Sequence, residues 1–309
     1  MAYADQLDGI TVFAAVVDAG GFSAAGRVLR CSKAAVSTQL KRLEDRLGVR
    51  LLQRTTRRLS LTEEGRAYYQ YCRRILDEAR DAADAVHSGD AEPRGVLRLS
   101  APMSFGLLHL GAAIAEFMTA HPAITVDLVL NDRQVDLIED GFDMAIRVSR
   151  MADSSLIARR LAPCRRIVVA SPDYWARMGK PRHPDALRRH EALIYDYQAE
   201  ADVWTFKADG ARLSVPVTGR YRANNGEVLI DAAKRGLGVA LSPTFFLGDA
   251  LKSGALETAL TEYEDDALAV YAVYPHRRHL ATRVRAFVDF LADRFGERPY
   301  WDEGCPSAA

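Results

Sequence analysis

Cysteine is scarce in this chain. The four among 309 residues, Cys31, Cys72, Cys164 and Cys305, show no CxxC pair and no Cys/His spacing, which argues against a disulfide framework or a zinc site and fits a reducing compartment. Long apolar runs are missing too. No stretch reads as the ~18 residues that a membrane span needs, and no charged leader precedes an apolar run at the amino end, so the chain is expected to stay in the cytoplasm. The marks of common enzymes are also lacking. The seven histidines contain no HExxH, no serine sits in GxSxG, and no glycine-rich loop has Walker spacing. Gly236–Leu237–Gly238 follows a helix pattern and precedes a strand pattern, the reverse of a dinucleotide fingerprint, and reads as a helix end and turn. No enzyme, cofactor or metal is expected.

A net charge is missing overall, since 41 basic residues meet 41 acidic ones, but the distribution is uneven. Residues 1–62 hold ten basic side chains against five acidic, and every basic one lies after Gly26. That segment therefore carries +5 and the remainder −5, the pattern of a polyanion-binding head on a soluble body. The length suits two or three domains at roughly 100 to 200 residues each.

Within the basic segment, Leu7, Ile10, Ala14 and Val17 recur at helical spacing up to the Gly20–Gly21 pair. A short helix follows Ser23, breaks near Cys31, and restarts after Ser32, a capping residue. Val36, Leu40, Leu43 and Leu47 then form the buried stripe of a third helix closed by Gly48. This is a helix-turn-helix, whose second helix enters the major groove of double-stranded DNA by its amino end. With that stripe buried, Lys33, Ala34, Ser37 and Thr38 are the candidates for base edges, Lys41, Arg42 and Arg27 for phosphates, and Ser32 belongs to the same DNA-binding face at its cap. The run from Leu51 to Leu61 places a basic, hydroxyl-rich centre between apolar ends. It reads as a two-stranded wing with Arg54, Thr55, Arg57 and Arg58 on the DNA backbone.

Thr62 and Glu63–Glu64 start a further helix, along which Tyr68, Tyr71, Ile75, Ala79, Ala82 and Val86 line one side. About 25 residues give about 38 Å at 1.5 Å per residue. A stripe of that length on one helix calls for a partner; a second copy would close it with twofold symmetry, and the alternative is a helix packed on its own carboxy-terminal domain.

Beyond the Ser88–Pro93 linker, strands alternate with helices. Strands are expected at Val96–Ser100, Ile124–Leu130, Met144–Val148, Ile167–Ala170, Leu193–Tyr195, Tyr221–Ala223, Val239–Leu241 and Ala267–Tyr274. Helices are expected at Leu107–Met118, Val135–Asp140, from Pro172, at Gly226–Lys234 and at Thr282–Phe295. The count fits two α/β lobes with mainly parallel sheets, and ligands of such sheets sit beyond the carboxyl ends of the strands. Ala101, Met103 and Ser104 lie there in one lobe, Asn224 and Asn225 in the other, each beside a helix start that favours an anion. Arg147 is a candidate counter-charge, Tyr195 a candidate wall residue, and Asp196 and Trp204 are weaker ones. The alternative is that Ser104 and Asn225 are ordinary caps and Arg147 an ordinary surface ion pair.

The string SAAGRVLRCSKAAVSTQLKRLEDRLGVRLLQRTTRRLSLTEEGRAYY, residues 23–69, closely resembles the DNA-binding domain of LysR-type transcriptional regulators. Two positions depart from the family wording. Lys33–Ala34 stands where Gln-Pro is common and Thr38 where Arg is, so no base preference is carried over there. The resemblance implies an α/β protein overall. It would have a winged helix-turn-helix at 1–62, a dimerising linker helix at 63–88, and a two-lobed effector domain of the type 2 periplasmic-binding-protein fold at 93–300. Lobe I would take about 93–162 and 267–300, and lobe II about 163–266. It further implies a homodimer and a homotetramer, a small-molecule effector such as an organic or aromatic acid, and a role compatible with contact to RNA polymerase. Two other readings remain: an architectural DNA-binding protein without ligand, and a solute-binding receptor, against which the basic head argues.

Arg54→Ala is expected to weaken binding to every duplex and to lower the salt slope by about one unit, measured by anisotropy titrations across ionic strength. Unchanged affinity and slope would remove Arg54 from the interface.

Overall fold

A computed structural model of the chain describes residues 7–54, 59–86, 92–133, 136–138, 140–150, 157–197, 200–265, 268–275 and 280–305. Two compact units divide it, Met1–Ala91 and Glu92–Ala309.

In the first unit, α1 (Ile10–Asp18), α2 (Phe22–Val28) and α3 (Lys33–Leu47) pack around Phe13, Val16, Ala25, Val36, Leu40 and Leu43. The helical stripe explains α3 directly, with Val36, Leu40 and Leu43 buried, though Leu47 at its end is exposed. Ser32 caps α3, its Oγ accepting the Ala35 N–H at 3.1 Å, and Gly48 closes it in the left-handed conformation. Strands β1 (Leu52–Arg54) and β2 (Leu59–Leu61) pair antiparallel. Thr55, Arg57 and Arg58, at the wing centre, lie outside the described residues, as does the side chain of Arg54.

Helix α4 (Glu63–Val86) starts at Thr62, whose Oγ1 accepts the Gly65 N–H at 2.9 Å and donates to the Arg50 carbonyl at 2.7 Å. Its apolar surface splits into two faces, where a single stripe was expected. Cys72 is fully buried, and Tyr68, Tyr69 and Leu76 pack beside it on the helix-turn-helix core, the Phe13 ring lying 5.8 Å from Tyr68 and 6.2 Å from Tyr69. Tyr71, Ile75, Ala79 and Ala82 are exposed. Asp18, at the end of α1, holds α4 through Arg73 at 2.6 Å and through the Tyr69 hydroxyl.

Among the described residues, the second unit holds one five-stranded sheet in lobe I and three smaller sheets in lobe II. In lobe I, β3 (Gly95–Ala101), β4 (Ile124–Leu130), β5 (Met144–Ser149), β6 (Ile157–Pro163) and β14 (Ala269–Tyr274) lie in the order β4-β3-β5-β14-β6. The first three are parallel, while β14 runs antiparallel to both neighbours, so the sheet is mixed. Helix α5 (Met103–Ala120), with one π-helical stretch at Gly106–Leu110, and helix α9 (Thr282–Phe295) supply the core with Phe105, Leu110, Phe117, Phe287 and Leu291. Helix α5 has the length and apolar composition of a membrane span, contrary to the sequence reading, but its buried face lies in this core. Where a helix was expected at Val135–Asp140, the described positions 137, 138 and 140 are turn and 136 has no regular structure. Arg283 of α9 is buried and pairs with Asp143 at 3.1 Å, which also accepts the Arg98 N–H at 2.8 Å.

In lobe II, β7 (Arg166–Ala170) pairs antiparallel with β12 (Ala240–Pro243) and β13 (Glu257–Ala259), and β8 (Glu191–Tyr195) pairs parallel with β11 (Thr218–Ala223). A bridge between Ala192 and Val239 joins the two sets. Helices α6 (Pro172–Met178), α7 (Gly226–Lys234) and α8 (Gly248–Lys252) accompany them. A hairpin missed in the sequence reading, β9 (Val203–Ala208) with β10 (Ala211–Pro216), turns at Asp209–Gly210, both with positive φ. Trp204 is buried in that lobe's core with Phe206 and Val215. Phe245, just after β12, instead enters the lobe I core, its ring 5.4 Å from Phe105.

At the junction of wing and α4, a Cβ on Gly65 would stand 2.0 Å from the Leu51 carbonyl oxygen. Gly65→Ala is expected to lose roughly 1–3 kcal/mol through overpacking, read from urea unfolding of the amino-terminal unit. A variant as stable as the parent would show that the junction yields freely.

Candidate functional site

Two surfaces carry chemistry, one in each unit. In the first, α2 and α3 meet through the Leu29–Ser32 turn, and α3 presents Lys33, Ala34, Ser37, Thr38 and Lys41 to solvent, all exposed, with Ser32 exposed at the cap and Arg27 exposed on α2. The buried stripe on the opposite side fixes this outward face. Glu44 adds a structural hold that the sequence reading missed. Its Oε1 accepts the Leu51 N–H at 2.8 Å and the Leu52 N–H at 3.2 Å, tying the first wing strand to α3. The signal was a single carboxylate one turn before the helix end, which without the fold reads as a solvated charge.

The second surface is a cavity of about 1050 Å³ between the lobes, at the carboxyl ends of β3 and β5 and opposite β8 and β12. Ser104, Arg147 and Tyr195 line it. The other sequence candidates stand aside. Ala101 is fully buried in β3, and Met103 is exposed, its N–H donating to Asp132 Oδ1 at 2.9 Å. Asn224 donates to the Tyr197 hydroxyl at 3.2 Å, and Asn225 caps α7 by accepting the Val228 N–H at 3.2 Å. Of the weaker candidates, Trp204 is core and Asp196 pairs with Arg222 at 3.2 Å.

Ser104 does not cap α5, as was expected; Pro102 holds that position and Ser104 lies within the first turn. Its hydroxyl donates to a carboxylate oxygen of Glu227, in the first turn of α7, and so clasps lobe I to lobe II. Asp132 and Glu227 therefore bring the protein's own carboxylates to the helix starts where an outside anion was expected. Burial, with Glu227 nearby, raises the Asp132 carboxyl, opposed by the Met103 N–H. Burial and the Asp132 carboxylate push the Tyr195 phenol well above its usual range, so it remains a neutral donor.

The inner wall escaped the sequence reading. Arg150, Arg166, Arg212, Thr205, Ser242 and Tyr271 line the same cavity as Arg147. Arg150 pairs with Asp265, while Arg212 donates to Thr205 Oγ1 at 3.3 Å. Arg147 reaches only the Ile146 carbonyl, at 3.3 Å, and its Nη2 has no partner among the described residues, nor does Nε of Arg166. Arginines on strands β5, β7 and β10 share no spacing that could have marked them as neighbours. Among the described residues, no cluster of His, Cys, Asp and Glu suits a metal ion.

Against known proteins, residues 7–66 match the family described as the bacterial regulatory helix-turn-helix protein, lysR family, and residues 90–296 match the LysR substrate binding domain. The chain is 34% identical over 293 residues to the HTH-type transcriptional activator AaeR of Escherichia coli, covering 95% of each. It is 33% identical over 297 residues to an HTH-type transcriptional repressor of Pseudomonas aeruginosa, covering 96% of this chain and 94% of that one. Among solved structures it is similar to CrgA of Neisseria meningitidis, a LysR-type transcriptional regulator, at 34% identity and TM-score 0.60, covering 94% and 98% of the two chains. It is similar likewise to the Vibrio cholerae virulence activator AphB, at 28% identity and TM-score 0.58, covering 92% and 98%.

Ser104→Ala removes one charge-assisted bond across the cleft, worth about 1–3 kcal/mol. The expected outcome is faster amide exchange at the starts of α5 and α7, with other core amides of both lobes unchanged. Identical exchange at both helix starts would show that the clasp does not hold the lobes.

Proposed function

The chain belongs to the LysR family of bacterial transcriptional regulators, and from that membership we propose that it binds operator DNA as a paired reader and answers to a small organic or aromatic acid held between its lobes. The observation that carries the DNA half is the face of α3. Lys33, Ala34, Ser37 and Thr38 stand clear of the core at the end of the helix that enters a major groove, with Ser32 at its cap. Arg27 and Lys41 flank that face, and with Arg54, Thr55, Arg57 and Arg58 of the wing they hold phosphates, positioning the head without reading sequence.

Two heads are required for an interrupted inverted repeat, and α4 supplies the means. Its exposed face of Tyr71, Ile75, Ala79 and Ala82 is apolar and unoccupied within the described chain, and a second copy buries the same face by twofold symmetry. Further pairing gives the tetramer, and the assembly works in the cytoplasm, where it can meet RNA polymerase. The cavity supports the sensing half. A ligand that binds one degree of lobe closure better than another shifts that equilibrium by its differential affinity, and the change in closure alters the spacing or angle of the heads.

Genome-wide occupancy mapping identifies the operator, and competition titrations on it test the assignment of α3. Ser37→Ala and Thr38→Ala combined are expected to reduce discrimination at one base position by about 1–3 kcal/mol, with thermal stability retained because both side chains are exposed. An unaltered base preference would move the reading residues elsewhere. A purified chain that ignores duplex DNA at low ionic strength would sink the regulator reading itself.

A further inference from the structure

The cavity has an excess of cations on its wall. Five arginines line the whole cavity, Arg133, Arg147, Arg150, Arg166 and Arg212, against two carboxylates, Asp132 and Glu200. Asp132 is engaged at the α5 end by the Met103 N–H. Asp265 is engaged by Arg150. That leaves Arg147, Arg166 and Arg212 without an acidic partner in any ion pair among the described residues. Arg166 is only 9% exposed, yet its Nε has no acceptor, and Nη2 of Arg147 is in the same state.

A guanidinium does not shed its proton inside a protein, and a buried charge whose nearest carboxylate is engaged elsewhere remains costly even after relaxation and water penetration. Burial pulls both Arg147 and Arg166 below the usual arginine range, and for Arg166 the Asp265 carboxylate opposes that pull while Arg150 and Arg212 add to it. The helix starts at the cavity are poorer anion sites. The Met103 and Val228 N–H groups are already bonded, and the Glu227 carboxylate stands between α5 and α7. Leu193, Val203, Leu241 and Tyr271 line the same cavity, so it offers an apolar surface together with its basic pole.

We propose that these cavity-lining arginines form an oxyanion subsite for a ligand carrying two negative charges, seated on Arg147, Arg166 and Arg212. The inference rests on the cavity being the effector site. One negative charge offsets one of three guanidiniums. A dicarboxylate, or an acid bearing a phosphoryl group, offsets two and can take forked bonds from planar guanidinium edges. The oxyanion displaces water from the arginines, and the remainder of the ligand lies on the apolar wall.

Titration calorimetry of the full chain at mildly alkaline pH, where phosphate is a dianion, tests this with phthalate, benzoate and inorganic phosphate. Phthalate and benzoate share a ring and differ by one carboxylate. At least one dianion is expected to bind about tenfold or more tighter than benzoate. Phthalate alone would indicate a carboxylate pair, and phosphate alone a phosphoryl group. Arg166→Gln is expected to weaken that dianion about tenfold, and so is Arg212→Gln, whose exposed site makes misfolding an inadequate explanation. The proposal is overturned if neither dianion binds more tightly than benzoate, or if the folded Arg212→Gln chain binds the dianion as the parent does. DNA binding by the unliganded parent is measured separately, so failure of the regulator reading and failure of this subsite give different results.

Discussion

A helix can offer a polar face to a partner only if its opposite face is anchored, and burial of Val36, Leu40 and Leu43 is the constraint from which the amino-terminal unit follows. Those three residues set the rotation of α3 about its own axis. Once that rotation is set, Lys33, Ala34, Ser37 and Thr38 must point to water, and Glu44 must point toward the wing, where it meets the Leu51 and Leu52 N–H groups. The wing in turn meets Thr62 and Gly65, and these set the start of α4. Reading helix, wing and linker helix are thus one mechanical chain rooted in a single apolar stripe.

The effector unit is governed by a different balance. Each lobe has its own strands, yet Phe245 leaves those of lobe II for the lobe I aromatic cluster, and Ser104 meets Glu227 across the opening. These ties hold the lobes around a cavity whose wall is apolar with a cationic pole. The Glu227 carboxylate already occupies the space between the helix starts, so the positive charge of the cavity resides on the arginines of its wall.

Local rules made much of this legible. Helical stripes, caps and strand alternation place α3, β4, α7 and α9 to within a residue or two, because each depends on neighbours close in sequence. The lysR-family wording of residues 23–69 extends that reading to the domain plan. What stayed hidden depends on contacts distant along the chain. Arg147, Arg166 and Arg212 come to line one cavity only after β5, β7 and β10 are assembled, and no window of sequence contains them together. The two faces of α4 were read as one stripe because Tyr68 and Tyr71 are three apart and equally apolar; only the packing of Phe13 separates the buried side from the exposed side. The β9–β10 hairpin is a different case. Its Asp209–Gly210 turn is a local signal of known meaning that the reading passed over.

The grip of α4 on its own head has a further meaning. Phe13 packs tilted against Tyr68 and edge-on to Tyr69, and Asp18 reaches Tyr69 and Arg73, so two successive turns of α4 are keyed to α1. A gear keyed to its shaft cannot slip: any roll of this helix about its length carries the reading helix through the same angle. Torsion, which needs no stretching or bending of the connection, is therefore a motion that these contacts couple to the head.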